Sequence, residues 1–160
     1  MRERLSQIKF DKVYSSDLLR AKRTAEIIAL EKKLAVETTK LLRERNYGRF
    51  EGENVTSELI DKLYNSSSDE MIQIGMETDE SLISRLFTFL REVSISHLGK
   101  RVLVVCHGGV MRTLLIHLGE FTKEENRNVF INNLAFVRLE SDGVEFFVKE
   151  KEGIELLEKF

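Results

Sequence analysis

Residues 101–115 read RVLVVCHGGVMRTLL, and the order of residue types in this stretch decides the fold. Val102, Leu103, Val104 and Val105 form a continuous, mostly β-branched run, the pattern of a strand buried on both faces in a parallel sheet. His107-Gly108-Gly109 follows, and then VMRTLLIHLG reads as a helix stopped at Gly119. A buried strand that opens through glycines into a helix belongs to an α/β sheet, which places its ligands at the carboxyl ends of the strands.

The same alternation extends in both directions. Upstream, DKVYSSD is a short strand around Val13 and Tyr14, closing on Ser15, Ser16 and Asp17, any of which can cap the helix that follows. That helix, LLRAKRTAEIIALEKKL, repeats Leu18, Ala21, Ala25, Ile28 and Ala29 at helical spacing and runs to about Lys33. A brief strand around Val36 passes into a charged loop punctuated by Gly48 and Gly52. VTSELIDKLYNS and SLISRLFTFLREVSISHL read as helices, with SSSDEMIQIGMETDE as a solvated connection or a cover for a site. Downstream, NNLAFVRLE, SDG and VEFFVKE form an antiparallel hairpin with Asp142-Gly143 at its turn. GIELLEKF fits a strand or a frayed helix, and Leu5 and Ile8 suit the last turns of an amphipathic helix. These elements predict a three-layer α/β/α sandwich, with a mostly parallel sheet and a C-terminal antiparallel hairpin, in one domain over residues 1–160.

Composition narrows the function classes. With 25 basic and 27 acidic residues the net charge is −2, and no basic block marks a nucleic-acid footprint. The apolar runs are too short to cross a bilayer. A single cysteine forms no internal disulfide and no charged-then-apolar leader opens the chain, so a cytoplasmic protein is expected. Three scattered histidines and one cysteine give no metal-ligand spacing. His97, near a helix end, and His117, inside a helix, stand without matched neighbours.

Three ordered segments carry a family resemblance. SSDLLRAKRTA, LLRERNYGRFEG and VLVVCHGGVMRTLL together resemble the histidine phosphatase superfamily, the phosphoglycerate-mutase-like proteins, from Asp11 to about Leu139. The resemblance implies a phosphorylated small-molecule substrate and no metal or other cofactor. It makes Arg20 the arginine that grips the transferred phosphoryl group, a task suited to a planar, permanently charged fork. It makes Glu44 the acid that protonates the leaving oxygen and then activates water. His107 becomes the residue that stabilises charge on the phosphoryl oxygens, while Gly108 and Gly109 let the backbone approach an anion. Arg45 and Tyr47 resemble substrate-shaping residues of mutase-like members, and Ser15 would line the same pocket. Gly109, where the mutases tend to carry asparagine, points to the phosphatase branch, with a phosphoglycerate mutase as the alternative.

One departure from the family pattern stands out. Histidine phosphatases attack phosphorus with the histidine of an Arg-His-Gly ending their first strand, and this sequence has no Arg-His-Gly. The expectation is a domain truncated at its N-terminus, with the first strand missing, active through phosphohistidine only when full length and inactive as it stands. Loss of a central strand would expose the edge of RVLVVC, which a homodimer or another partner segment would cover. Arg20 and His107 would still serve a non-catalytic phosphate-binding or regulatory module. Another alternative is cysteine chemistry: Cys106, five intervening residues and Arg112 match the spacing of a cysteine-phosphatase loop, a short pattern that also arises from a buried cysteine ending a strand.

Overall fold

The computed structural model describes residues 5, 7–54 and 56–157. Its centre is a parallel sheet in the order β2-β1-β3, built from β1 (Lys12–Ser16), β2 (Val36–Thr39) and β3 (Val102–Val105). Val13 pairs with Val36 on one side and Leu103 on the other, so β1 is the central strand. The crossover between β1 and β2 is α1 (Leu19–Lys32), which turns its small side chains Ala21, Ala25 and Ala29 to the sheet. Alanines at that spacing let the helix lie close to the β-branched strand residues. Val13, Ala25 and Ala29 thus form one core cluster with Leu34, Val36, Leu103 and Val105 around it.

The opposite face is covered by α4 (Asp79–Ser96) and α5 (Gly108–His117), after two short helices, α2 (Ser57–Asn65) and α3 (Ser68–Gln73). Leu82, Leu86, Phe89 and Leu90 of α4 pack with Leu42 and with Val110 and Leu114 of α5, and Tyr14 and Val104 reach the same cluster from the strands. Strand alternation separates the faces: Val13 and Leu103 point to α1, whereas Tyr14 and Val104 point to α4. The three expected layers are therefore present. A separate antiparallel hairpin, β4 (Val129–Ser141) with β5 (Phe146–Leu156), completes the fold. Asp142 accepts the amides of Val144 and Glu145 at 2.9 and 2.8 Å, and Gly143 adopts φ +97°, so the turn falls where Asp142-Gly143 predicts it.

Four details differ from the sequence expectation. First, β3 has both faces covered, yet Val102–Val105 are only half-buried, because among the described residues one of its edges carries no strand. Second, α1 has no side-chain cap: Ser16 instead accepts the Leu18 amide at 3.2 Å, while Asp17 binds Arg43. Third, SSSDEMIQIGMETDE is not a solvated connection. It contains α3, held by a reciprocal capping box between Ser67 and Glu70, and it buries Met71 and Met76 against Phe50 and Leu59. Fourth, Gly153–Leu156 continue β5 rather than fray into a helix. Half of the residues of the helical turns expected over residues 1–10 lie outside those described. No helix among the described residues is long and apolar enough to cross a membrane.

Candidate active site

The carboxyl ends of β1 and β3 stop side by side, and the first turn of α5 rises from that point. Amides in a helix's first turn have no acceptor within the helix and carry its positive dipole end, so this location attracts anions. His107 is the residue before the helix and is buried. Its Nε2 lies 2.9 Å from Oγ of Ser16, the last residue of β1. Burial holds the imidazole below its ordinary pKa, opposed by the Glu44 charge and reinforced by Arg20 and Arg85. His107 is thereby kept neutral further into the acid range than a free histidine.

Glu44 comes to the same point from the loop after β2. One carboxylate oxygen accepts the Arg45 amide at 2.9 Å and the other accepts the Gly109 amide at 3.1 Å. A Cβ at Gly109 would stand 2.5 Å from Glu44 Oε1, so any larger residue here would displace the Glu44 carboxylate from its place. Gly108 faces Ile131 of β4 at ordinary contact distance and has no such constraint. Arg20, in the first turn of α1, is exposed and makes no side-chain hydrogen bond or ion pair among the described residues, yet its charge is felt at His107. A guanidinium, a helix N-terminus, a buried imidazole and a carboxylate are groups whose chemistry suits a tetrahedral oxyanion and a proton transfer.

The remaining sequence candidates sort differently. Ser15 does not line this site: its hydroxyl donates to the Ser16 carbonyl at 2.9 Å, on the α1 side of the strand. The site serine is Ser16, and the signal for it was strand parity, since Ser16 lies on the opposite face from Val13 and Ser15. Arg45 is turned into the protein, donating to the Glu77 carbonyl at 2.8 Å and Thr113 Oγ1 at 3.1 Å and pairing with Asp79, so it is engaged by the fold rather than offered to a substrate. Tyr47 packs against the Phe50–Met76 cluster, and burial pushes its phenol up to about 12. Arg43, which the sequence reading did not single out, holds Asp17 through two hydrogen bonds of 2.7 Å beside Arg20.

The cysteine alternative fails on geometry. Cys106 packs against the α4–α5 cluster, and burial pushes its thiol up to about 12, far from the depressed value a thiolate nucleophile needs. Arg112 does not fold back over it; Nε donates to the Val129 carbonyl at 3.1 Å and Nη1 to the Tyr64 hydroxyl at 3.0 Å. The other two histidines lie elsewhere: His97 Nε2 is 3.0 Å from the Tyr14 hydroxyl, and the His117 ring packs edgewise on Phe87. Among the described residues no three His, Cys, Asp or Glu side chains converge as a metal-ligand set. A cavity of about 110 Å³ opens between Tyr14, Phe89 and Val93, and His107, Glu44 and Arg20 do not line it.

Comparison with known proteins identifies the family. Residues 1–152 match the sequence profile of the histidine phosphatase superfamily, branch 1. Phosphoglycerate mutase-like protein 4 of Arabidopsis thaliana is 40% identical over 120 residues, 70% of this chain and 52% of that protein. The uncharacterized phosphatase PhoE of Bacillus subtilis is 33% identical over 141 residues, 84% of this chain and 68% of that protein. The chain spans about half the length of the Arabidopsis protein and of two further curated relatives, at 52%, 56% and 48%. Among solved structures, YhfR of Bacillus stearothermophilus superposes with a TM-score of 0.75 at 22% identity, covering 91% of this chain and 75% of the other. A phosphoserine phosphatase variant of Entamoeba histolytica, in complex with phosphoserine, gives 0.74 at 22% identity, covering 94% and 78%. These two superpositions concern the fold.

Proposed function

Because the chain belongs to the histidine phosphatase superfamily, we propose that its site binds the phosphoryl group of a small phosphomonoester for hydrolysis. The observation that carries this reading is the meeting of Glu44 and His107 at the N-terminus of α5, within reach of the Arg20 charge, a guanidinium unpaired among the described residues. Arg20 and the first-turn α5 amides other than that of Gly109, which Glu44 engages, hold the phosphoryl oxygens, and His107 donates to them as negative charge builds. Glu44 donates its proton to the leaving oxygen as the phosphorus–oxygen bond breaks, and then, as a carboxylate, takes a proton from the attacking water.

In a phosphohistidine route a second imidazole nitrogen attacks phosphorus, and water later displaces it. The sequence contains no Arg-His-Gly, and His97 and His117 are engaged away from the site. The reading therefore assigns the 160-residue chain phosphate binding without turnover, and turnover once an Arg-His-Gly strand is supplied. The phosphatase direction, rather than phosphoryl transfer between substrates, is supported by the names that several relatives bear and by Gly109.

The test is hydrolysis of p-nitrophenyl phosphate by the chain alone and by the chain carrying an added N-terminal strand with Arg-His-Gly. Turnover by the extended chain, abolished by changing the added histidine, is the expected result. Phosphate binding by both forms with turnover by neither would replace this reading with that of a non-catalytic phosphate-binding module. Turnover by the unextended chain would overturn the assignment of the nucleophile.

A further inference from the structure

We propose that Arg85 and Glu77 are positioning residues whose ion pair holds the Glu44 carboxylate on the Gly109 amide. This rests on the reading of Glu44 as the proton carrier. Glu44 lies in a loop, and its own two hydrogen bonds reach only the neighbouring Arg45 amide and Gly109. Something else must fix the loop to the body, and that is Arg85, on α4. Its Nη1 donates to the Leu41 carbonyl at 2.7 Å and its Nη2 approaches the Glu44 carbonyl at 3.4 Å, one contact on each side of the turn. The same guanidinium forks onto Glu77, with Nε to Oε1 at 2.6 Å and Nη2 to Oε2 at 2.9 Å. Both side chains are largely buried, at 18% and 12% exposure, so the pair is shielded from water and from salt.

Glu77 closes the circuit onto the other end of the loop. Its amide donates to the Asn46 carbonyl at 2.8 Å, and its Oε2 accepts the Asn46 amide at 3.3 Å. Arg45 ties the loop to α5: it donates to the Glu77 carbonyl and to Thr113, whose hydroxyl donates in turn to the Gly109 carbonyl at 2.9 Å. The distance between Glu44 and Gly109 is thus set from two directions by one polar cluster. Arg85 uses all three of its nitrogens in a planar fork, a geometry that the single ammonium of lysine does not reproduce.

The Gly109 amide is a direct reporter, because as a first-turn helix amide it has no intrahelical acceptor and Glu44 is its partner. The experiment is amide hydrogen exchange by NMR on the whole chain, for the wild type and Glu44→Ala, Arg85→Lys, Arg85→Met and Glu77→Gln. Gly109 exchange accelerating at least about tenfold in Glu44→Ala, Arg85→Lys and Glu77→Gln, with Val13 and Leu86 amides as protected as before, is the expected outcome. Arg85→Lys retains charge and length, so it supplies the readout if Arg85→Met does not fold. Unchanged Gly109 exchange in Arg85→Lys, or an equal acceleration of Val13 and Leu86, would overturn the proposal. The functional reading fails separately: if Arg85→Lys frees the Gly109 amide but Glu44→Gln leaves hydrolysis by the strand-extended chain unchanged, positioning stands and the proton-carrier role falls.

Discussion

The α4 face of the sheet and the carboxyl end of the sheet are built from different materials. The first is made of Leu42, Leu82, Leu86, Phe89 and Leu90, with hardly a polar atom among them. The second gathers Ser16, Arg45, His107 and Thr113, four of the six buried polar side chains of the described residues. Apolar contact is non-directional and scales with area, so it sets how firmly the strands are held but not where a carboxylate points. Hydrogen bonds are directional and modest in net energy, so the polar end contributes placement more than stability. The polar network is thus seated on an apolar floor.

The largest effect expected is in that floor. Leu82→Ala, at a fully buried position, should cost about 2–5 kcal/mol in a urea unfolding curve. Phosphate affinity of the fraction still folded should be unchanged. If affinity fell in parallel with stability, the two regions would not be separable as described. A smaller effect is expected from Arg45→Met, about 1–3 kcal/mol, since it leaves the Glu77 carbonyl and Thr113 without their donor. Here affinity for phosphate should fall by more than stability explains, because the loop bearing Glu44 shifts.

The comparison also explains what could be read from the sequence. The layers, the strand RVLVVC and the glycine-to-helix turn were legible because period-two and period-3.6 patterns encode which face is buried. Arg20, Glu44 and His107 were singled out by the resemblance of three ordered segments to one family pattern, and the fold brings Glu44 and His107 together at the N-terminus of α5. Ser16 was not distinguished from Ser15, since two adjacent serines give the same chemical signal and only strand parity separates them. Arg45 was misplaced as a substrate residue, because a charge in a loop says nothing of direction until Asp79 and Thr113 are seen to receive it. Arg85 and Glu77 lie outside the segments that carry the resemblance, and their convergence on residues 41–46 is a long-range contact that no local pattern contains. The apolar content of residues 67–76 was hidden among serines and acids, although Met71 and Met76 were its visible trace.

The smallest stability effect expected is a pH effect at the polar end. Burial lowers the His107 pKa below its ordinary 6.5, so the unfolded chain binds more protons than the folded one as pH falls through that value. Stability from this group is fully present above about pH 6.5 and declines below it until the folded-state pKa is passed. Denaturation midpoints measured between about pH 7.5 and 5, the range in which histidine titrates, should therefore fall more steeply for the wild type than for His107→Gln. Parallel slopes would mean that His107 is as free to protonate as a histidine in water.

The central claim, that Arg20 and His107 at the N-terminus of α5 form a phosphoryl receptor, is tested most directly by titrating the chain with inorganic phosphate while following amide chemical shifts. The account predicts saturable shifts at Gly108 and Gly109, weakened at least about tenfold in Arg20→Ala and in His107→Ala, with the Arg20→Ala melting temperature unchanged. Shifts that do not saturate, or an affinity that Arg20→Ala leaves as it was, would contradict it.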